Sequence, residues 1–171
     1  LGPEKATEKI AEAEENHFSK FCEAAALSPM TGRVCAIGTD SDIAAIQLID
    51  CTEKGEGEAG GILKFWQMIH DNTGETVAFN THIFDFPFLI RRSWVLRIPI
   101  PLAMRPERDR YWPEWNVDLR KRWQLGIPSG DPQSRGSLNV IATGFGLKGK
   151  TGEHGHEFGK LWRNLSTRAL A

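Results

Sequence analysis

The stretch VAFNTHIFDFPFLIRRSW, residues 77–94, decides the fold class of this chain. The apolar residues 76–79 predict a short buried strand. Residues 84–96 predict a helix with Pro87 in its first turn, where the missing backbone N–H is harmless. Asp85 therefore lies where a strand passes into a helix. In open α/β sheets, ligands bind in the crevice at such strand ends.

The sequence before this stretch predicts a long helix followed by a hairpin. Apolar residues recur at spacings near three and four over residues 4–27, and Pro29 ends that helix. Two short apolar, β-branched runs, residues 33–38 and 43–49, flank the turn signal TDSD. Two such runs separated by a turn predict a β-hairpin.

Helices and short strands continue through the rest of the chain. Residues 52–61 are rich in Gly and Glu and predict a loop, whereas residues 62–70 predict a helix. Residues 117–123 predict a strand that enters a helix, and residues 137–145 predict a short helix ended by a glycine. A further helix is predicted from Glu157 onward.

The composition predicts one globular domain with a hydrophobic core. The chain has 171 residues, of which 40% are apolar and 25% are charged. Because strands and helices alternate after the hairpin, we predict an α/β fold, with a mixed sheet flanked by helices, over residues 1–171. The side chains predicted to be buried in its core are Trp66, Phe79, Phe88 and Leu89.

The charge and the cysteines argue against several classes of protein. Lys and Arg total 21 against 22 Asp and Glu, so the net charge is −1, and any nucleic-acid contact must use a local basic patch. No apolar run approaches the roughly 20 residues that span a bilayer, and the first residues lack a signal-peptide core. The odd set Cys22, Cys35 and Cys51 lacks CxxC spacing, which favours a reducing cytoplasm over a disulfide framework or a zinc site.

Asp85 has two interpretations on residue pattern alone. A carboxylate at a strand end can hold a divalent metal, because hard cations take oxygen ligands. Alternatively, the charge of Asp85 only supplements a helix N-terminus, where a negative charge is favourable. Acids are common in first helical turns, so periodicity by itself favours the second interpretation.

Longer motifs give the chain a family resemblance. The run FNTHIFDFPFL, residues 79–89, resembles the second motif of DEDD-type 3′–5′ exonucleases, in which a strand ends in an Asn and a helix carries an Asp. The runs ALSPMTGRVCAIG, ILKFWQMI, FDFPFLIRRSWVLRIPIP, NVDLRKRW and SLNVIATGFGLKGKTG, in this order, resemble the predicted 3′–5′ exonucleases related to the proofreading domain of family B DNA polymerases. The resemblance covers roughly residues 25–165.

The resemblance implies a fold and a reaction. It implies a ribonuclease H-like fold and hydrolysis of terminal phosphodiester bonds with two divalent ions, Mg²⁺ or Mn²⁺. One ion turns water into a nucleophile, and the pair clamps the attacking and leaving oxygens. By its position in the motif, Asp85 is then a catalytic metal ligand. The implied partner is the single-stranded 3′ end of DNA, with RNA as the alternative and no membrane partner.

Two acidic motifs of the family have no match in this chain. The first, an Asp-x-Glu pair on the opening strand, is absent from residues 1–32. The third needs a Tyr or His followed a turn later by an Asp, but the only tyrosine is Tyr111 and no Asp follows Asp131. We therefore expect either a chain truncated at both ends of the domain or a non-catalytic nucleic-acid-binding or interaction domain of the same fold.

Residues around Asp85 are candidates for substrate contacts. Asn80 and Phe84 are expected near the terminal nucleotide because of their positions in the motif. Arg91 and Arg92 begin the densest basic stretch, in which arginines interleave with aromatic residues. Such a mixture suits a single strand, since cations follow the phosphates and rings stack on the bases. The alternative is that these arginines form a solvated surface.

Asp118 and His82 are candidates for supporting the site. Asp118, in NVDLRKRW, matches an Asp that lies beside the exonuclease site, although a carboxylate that starts a helix has a simpler role as a cap. His82 lies three residues before Asp85 and could touch substrate, but a loop histidine is more often structural or merely exposed.

Overall fold

The fold is that of a computed structural model, which describes residues 3–41, 44–105 and 112–149. Contacts divide the chain into two compact units, Leu1–Gly126 and Ile127–Ala171. The helix predicted from Glu157 lies outside the described residues, as does Tyr111. The organisation of the chain as a single domain stays a prediction.

A long amphipathic helix, α1, spans Pro3–Leu27 and confirms the first predicted element. It forms because alanine, glutamate and lysine, which dominate it, have high helix propensity. At its C-terminal end, the carbonyl of Ala25 accepts the Ser28 amide at 3.3 Å and the Thr31 hydroxyl at 2.6 Å, so this carbonyl of the last turn is satisfied. The helix leaves a stripe of apolar side chains exposed, including Ile10, Phe18 and Phe21.

The predicted hairpin is present, but its first strand is displaced along the chain. Strand β1 spans Ala36–Ser41 and pairs antiparallel with β2, Ala44–Asp50. It begins three residues later than predicted because the Val34 amide donates to the Glu58 side chain at 2.8 Å instead of joining the ladder. It also continues through most of the predicted TDSD turn, aided by a register shift between Thr39 and Ser41.

Helix α2, Gly57–Asp71, begins five residues before the predicted helix, so the assignment of residues 57–61 to a loop was wrong. Glycine there serves close packing. A Cβ on Gly61 would collide with the Cys51 side chain, and the glycine therefore lets the helix approach the end of β2. An acid in the first turn, Glu58, agrees with the helix macrodipole.

Two separate small sheets replace the predicted mixed sheet. Strand β3, Thr76–Ala78, pairs in parallel with β4, Asn116–Asp118, and not with the hairpin. In the part of the chain that the structure describes, no strand lies between the hairpin and β3 to join them. The burial predicted for β3 was also wrong at its centre, since the described residues leave Val77 56% exposed.

The remaining predicted helices are confirmed with small changes. Helix α3 spans Asp85–Leu96, and α4, Leu119–Gln124, follows β4 directly. In the second unit, α5 spans Leu138–Gly144 and is capped by the Ser137 side chain. Short 3₁₀ turns cover Leu102–Met104 and Pro132–Ser134. None of the helices among the described residues is long and apolar enough to cross a membrane.

Helix α2 lies at the centre of the hydrophobic core of the first unit. It contacts both strands of the hairpin and α3, and the Trp66 indole N–H donates to the Ser93 hydroxyl at 2.8 Å. Trp66 and Leu89 are buried, as predicted. Phe79 and Phe88 are only half-buried, so their prediction was wrong. Phe88 lies instead against the exposed ring of Phe84, with the ring centroids 5.8 Å apart.

Candidate active site

Asp85 begins helix α3 at the carboxyl end of the parallel pair β3–β4. It is exposed, and no cation of the described residues lies within ion-pair distance of it. Parallel strands bind ligands at their carboxyl ends, because side chains that follow neighbouring strands converge there. Asp85 is therefore placed where an accessible carboxylate could meet a ligand.

The turn between β3 and α3 is held by the carboxylate of Asp118, whose side chain is 1% exposed. One carboxylate oxygen accepts the backbone N–H of Asn80 at 2.8 Å, and the other accepts the N–H of His82 at 3.1 Å. The first oxygen also accepts the N–H of Arg120 at 2.9 Å and so caps α4. Asp118 thus joins β4 and α4 to the turn that leads to Asp85.

The backbone conformation and the carbonyl group of Asn80 form this turn. Its φ of 63° lies in the left-handed region, which asparagine adopts more readily than most residues. The amides of Ile83 and Phe84 both donate to the Asn80 carbonyl at 3.3 Å, and Phe86 donates to the Thr81 carbonyl at 3.0 Å. The chain consequently reverses in one tight turn and starts α3 at Asp85.

His82 lies inside this assembly. Its Nε2 is 3.1 Å from the carbonyl of Asn116, and its ring stacks on Trp112 with centroids 5.1 Å apart. A carbonyl can only accept, so Nε2 carries the proton of the neutral ring. Burial and the charge of Lys121 lower the pKa of His82 against the opposing effect of Asp118. His82 therefore packs inside the turn, where folding disfavours the charged form of its ring.

The pKa of Asp85 is shifted upward, which is unusual for an acid at a helix N-terminus. Desolvation of its carboxylate raises the pKa, its own backbone amide lowers it, and the charge of Asp118 raises it further, with a net upward shift. Two carboxylates held close together repel each other when both are ionised. A cation bound at Asp85 would relieve this repulsion.

A family model described as a predicted 3′–5′ exonuclease related to the exonuclease domain of PolB matches residues 19–170. The chain belongs to this family. Membership confirms the resemblance drawn from the sequence motifs and suggests a nucleic-acid substrate and dependence on a divalent metal. Comparisons with curated proteins and with solved structures gave no match.

The two arginines that follow the family's Asp motif lie in different environments. Arg91 is exposed, whereas Arg92 is 8% exposed and forms a bidentate pair with Glu58 at 2.7 and 2.8 Å. Its remaining nitrogen donates to the Pro29 carbonyl at 3.2 Å. Because Arg92 is buried and paired, we do not retain it among the proposed contacts to nucleic acid.

Glu58 is the acid that sequence reasoning missed. Burial raises its pKa, but the hydrogen bonds from Arg92 and the Val34 amide outweigh burial, and the net shift is downward. The carboxylate is ionised and ties α2 to α3 and to the segment before β1. Its position in a Gly- and Glu-rich stretch gave no signal of this role, because the partners are distant in sequence.

The two other motif residues of the turn differ in accessibility. Phe84 is 42% exposed and precedes Asp85 directly, so its ring can meet a bound molecule. Asn80 is half-buried, and its side-chain Oδ1 has no hydrogen-bond partner among the described residues. Asn116 is 3% exposed and lacks partners there for both amide atoms.

The described residues do not by themselves form the metal site that the family suggests. They contain no group of three or more His, Cys, Asp or Glu side chains that could hold an ion. Both Asp118 oxygens accept backbone N–H groups and are buried, which leaves Asp85 as the accessible carboxylate of the turn. One carboxylate is too few for a magnesium site without further ligands.

Proposed function

We propose that this chain is part of a 3′–5′ exonuclease domain that hydrolyses terminal phosphodiester bonds of DNA. The family match over residues 19–170 is the observation on which the proposal rests. The exposed carboxylate of Asp85 at the end of a parallel strand, which pairs with no cation of the described residues, supports it. Single-stranded 3′ ends are the proposed substrate, with RNA as the alternative.

In this proposal each residue of the turn has a separate task. Asp85 binds a divalent ion, Mg²⁺ or Mn²⁺, and Asn80 and Phe84 lie against the terminal nucleotide. Asp118 positions Asp85 through the backbone of the turn. Its own oxygens are occupied by three N–H groups, so it acts without touching substrate.

The remaining metal ligands are proposed to come from residues outside the described part of the chain. A two-metal site needs several acids, and the family supplies them as an Asp-x-Glu strand and a C-terminal Tyr- or His-led motif. We propose that the longer protein contains both. A ribonuclease H-like sheet would then form if the added strand paired between the hairpin and β3, which are separate in the described residues.

A second function is favoured by the turn itself, where the described residues offer Asp85 as the one accessible carboxylate. A family member that lacks the other acids would bind nucleic acid or another protein without cleaving it. The two functions predict different results in one assay. The full-length protein should shorten a 5′-labelled single-stranded oligodeoxynucleotide from its 3′ end in Mg²⁺ or Mn²⁺ but not in EDTA. Binding without degradation in any divalent metal would favour the non-catalytic function.

A further inference from the structure

Helix α4 carries three consecutive cations beside the turn that leads to Asp85. The N–H of Arg120 and the N–H of Asn80 are both accepted by the Asp118 carboxylate, at 2.9 and 2.8 Å. The next residue, Lys121, lies near enough to the His82 ring for its charge to act on it. The first turn of α4 therefore lies beside the turn before α3, and Lys121 is the cation of α4 whose charge reaches that turn.

The charges of these cations are not neutralised by the described residues. Arg120, Lys121 and Arg122 take part in none of the ion pairs found there. Lys121 and Arg122 are exposed, whereas the Nε of the half-buried Arg120 is buried and has no acceptor among the described residues. By contrast, all three nitrogens of the buried Arg92 side chain have acceptors, in Glu58 and the Pro29 carbonyl. Helix α4 thus concentrates positive charge in a chain whose net charge is only −1.

Both segments also expose apolar side chains. Leu119 on α4 is 43% exposed, and Ile83 and Phe84 in the turn before α3 are 59% and 42% exposed. A cationic surface with an accessible ring suits a single nucleic-acid strand, because cations follow the phosphates while rings stack on bases. A chain this close to neutral also needs a local patch to bind a polyanion.

We propose that α4, through the exposed Lys121 and Arg122, binds the phosphate backbone of the single strand whose 3′ end lies at Asp85. This inference rests on the proposed exonuclease function and adds a binding surface to it. The sequence directed attention to Arg91 and Arg92 instead. The structure buries Arg92, leaves Arg91 exposed, and places on α4 three further cations that form no ion pair among the described residues.

The experiment measures binding of a 5′-fluorescein 16-nucleotide oligothymidylate to the full-length protein by anisotropy, in EDTA to prevent turnover. The variant is Lys121→Gln/Arg122→Gln. Each lost phosphate contact makes the slope of log K against log salt about 0.7 less negative for a single strand. Two lost contacts should therefore make the slope about 1.4 less negative. If the variant and the wild type bind equally at an extrapolated 1 M salt, the variant should bind about 65-fold more weakly at 50 mM.

The matched control is Lys9→Gln/Lys20→Gln, which removes the same charge from exposed positions on α1. The control should bind as the wild type does, and both variants should keep the wild-type melting temperature. Wild-type affinity and slope in the α4 variant would overturn the inference. So would weaker binding of a polyglutamate peptide with unchanged oligothymidylate binding, since the surface would then fit an acidic protein segment.

Failure of the α4 inference can be distinguished from failure of the proposed exonuclease function. Degradation in Mg²⁺ tests the exonuclease activity, whereas binding in EDTA tests α4. A protein that binds oligothymidylate through α4 but never degrades it would contradict catalysis alone. A protein that degrades it and binds equally well without Lys121 and Arg122 would contradict the α4 surface alone.

Discussion

The Asp118 carboxylate accepts the backbone N–H of Asn80 at 2.8 Å, although 38 positions separate the two residues. It also accepts the amides of His82 and Arg120. One buried charge therefore fixes the left-handed turn at Asn80, starts α4 and sets the point at which α3 begins. The exposed Asp85 depends on this arrangement for its position.

We expect Asp118→Ala to lower the free energy of unfolding by about 3 kcal/mol or more. The substitution leaves three backbone N–H groups without an acceptor, and each unsatisfied buried group costs about 1–3 kcal/mol. Chemical denaturation followed by tryptophan fluorescence measures the effect. The control, Asp50→Ala, removes an exposed carboxylate that accepts from Thr52 and should have a smaller effect. Equal effects would contradict the role given to Asp118.

Glu58→Ala should destabilise the protein by about 3–5 kcal/mol, because it leaves the Arg92 guanidinium buried without its partner. Glu56→Ala is the matched control two positions away. Its pair with Lys64, at 2.9 Å, is about half exposed and is worth about 1 kcal/mol or less. Denaturant titration of both variants gives the comparison, and similar losses would show that the Glu58–Arg92 pair is not a structural tie.

The Glu58–Arg92 pair should also make the stability of the protein depend on pH, and the direction follows from the pKa shift of Glu58. The pKa of Glu58 is lowered by folding, so its stabilisation is complete above the ordinary value of 4.5 and is lost as the pH falls through the folded value. The stability difference between wild type and Glu58→Gln should therefore shrink on acidification below about pH 4.5. Melting temperatures from pH 7 to pH 3 test this, and a difference that grew in acid would contradict it.

The contribution of Asp85 to stability should change with pH in the opposite direction. Its folded pKa is raised above the ordinary 3.8, so ionisation costs the folded state more than the unfolded state as the pH rises through the folded value. The melting temperature of Asp85→Asn minus that of wild type should become more positive between pH 3 and pH 7. Thermal scans without divalent metal measure it. A difference that became more negative would show that Asp85 is stabilised by charge, as an ordinary helix-start acid is.

Local signals were enough to predict several elements. Pro87 and the apolar run before Asn80 predicted the passage from β3 to α3 and placed Asp85 at its start. Glycine was the misleading local signal, since Gly61 belongs to a helix that closely approaches Cys51. Propensity alone cannot distinguish a glycine of a loop from a glycine required by packing.

Long-range pairing could not be predicted from the sequence. Arg91 and Arg92 are adjacent and chemically alike, yet only Arg92 is directed towards Glu58, 34 positions away. Asp118 was correctly considered as a helix cap, but its bonds to Asn80 and His82 depend on the parallel pairing of β3 with β4. The partition of unit 1 into two small sheets depends likewise on contacts between strands that are distant in sequence.

The 171-residue chain alone should show no measurable nuclease activity. Its described residues offer one accessible carboxylate at the turn, and a single ligand neither holds two ions nor positions a hydroxide. Incubation of the purified chain with a labelled single strand in Mg²⁺ or Mn²⁺ is the measurement. Metal-dependent degradation that disappears in Asp85→Ala would show that the chain forms a complete site by itself.

The central claim is that Asp85 in the full-length protein serves catalysis rather than folding. The decisive measurement pairs the exonuclease rate of Asp85→Ala with its melting temperature. We expect a folded protein whose rate falls by about a thousandfold or more, because losing a metal ligand removes roughly 4 kcal/mol of transition-state stabilisation. An Asp85→Ala protein that degrades DNA at the wild-type rate would contradict the account.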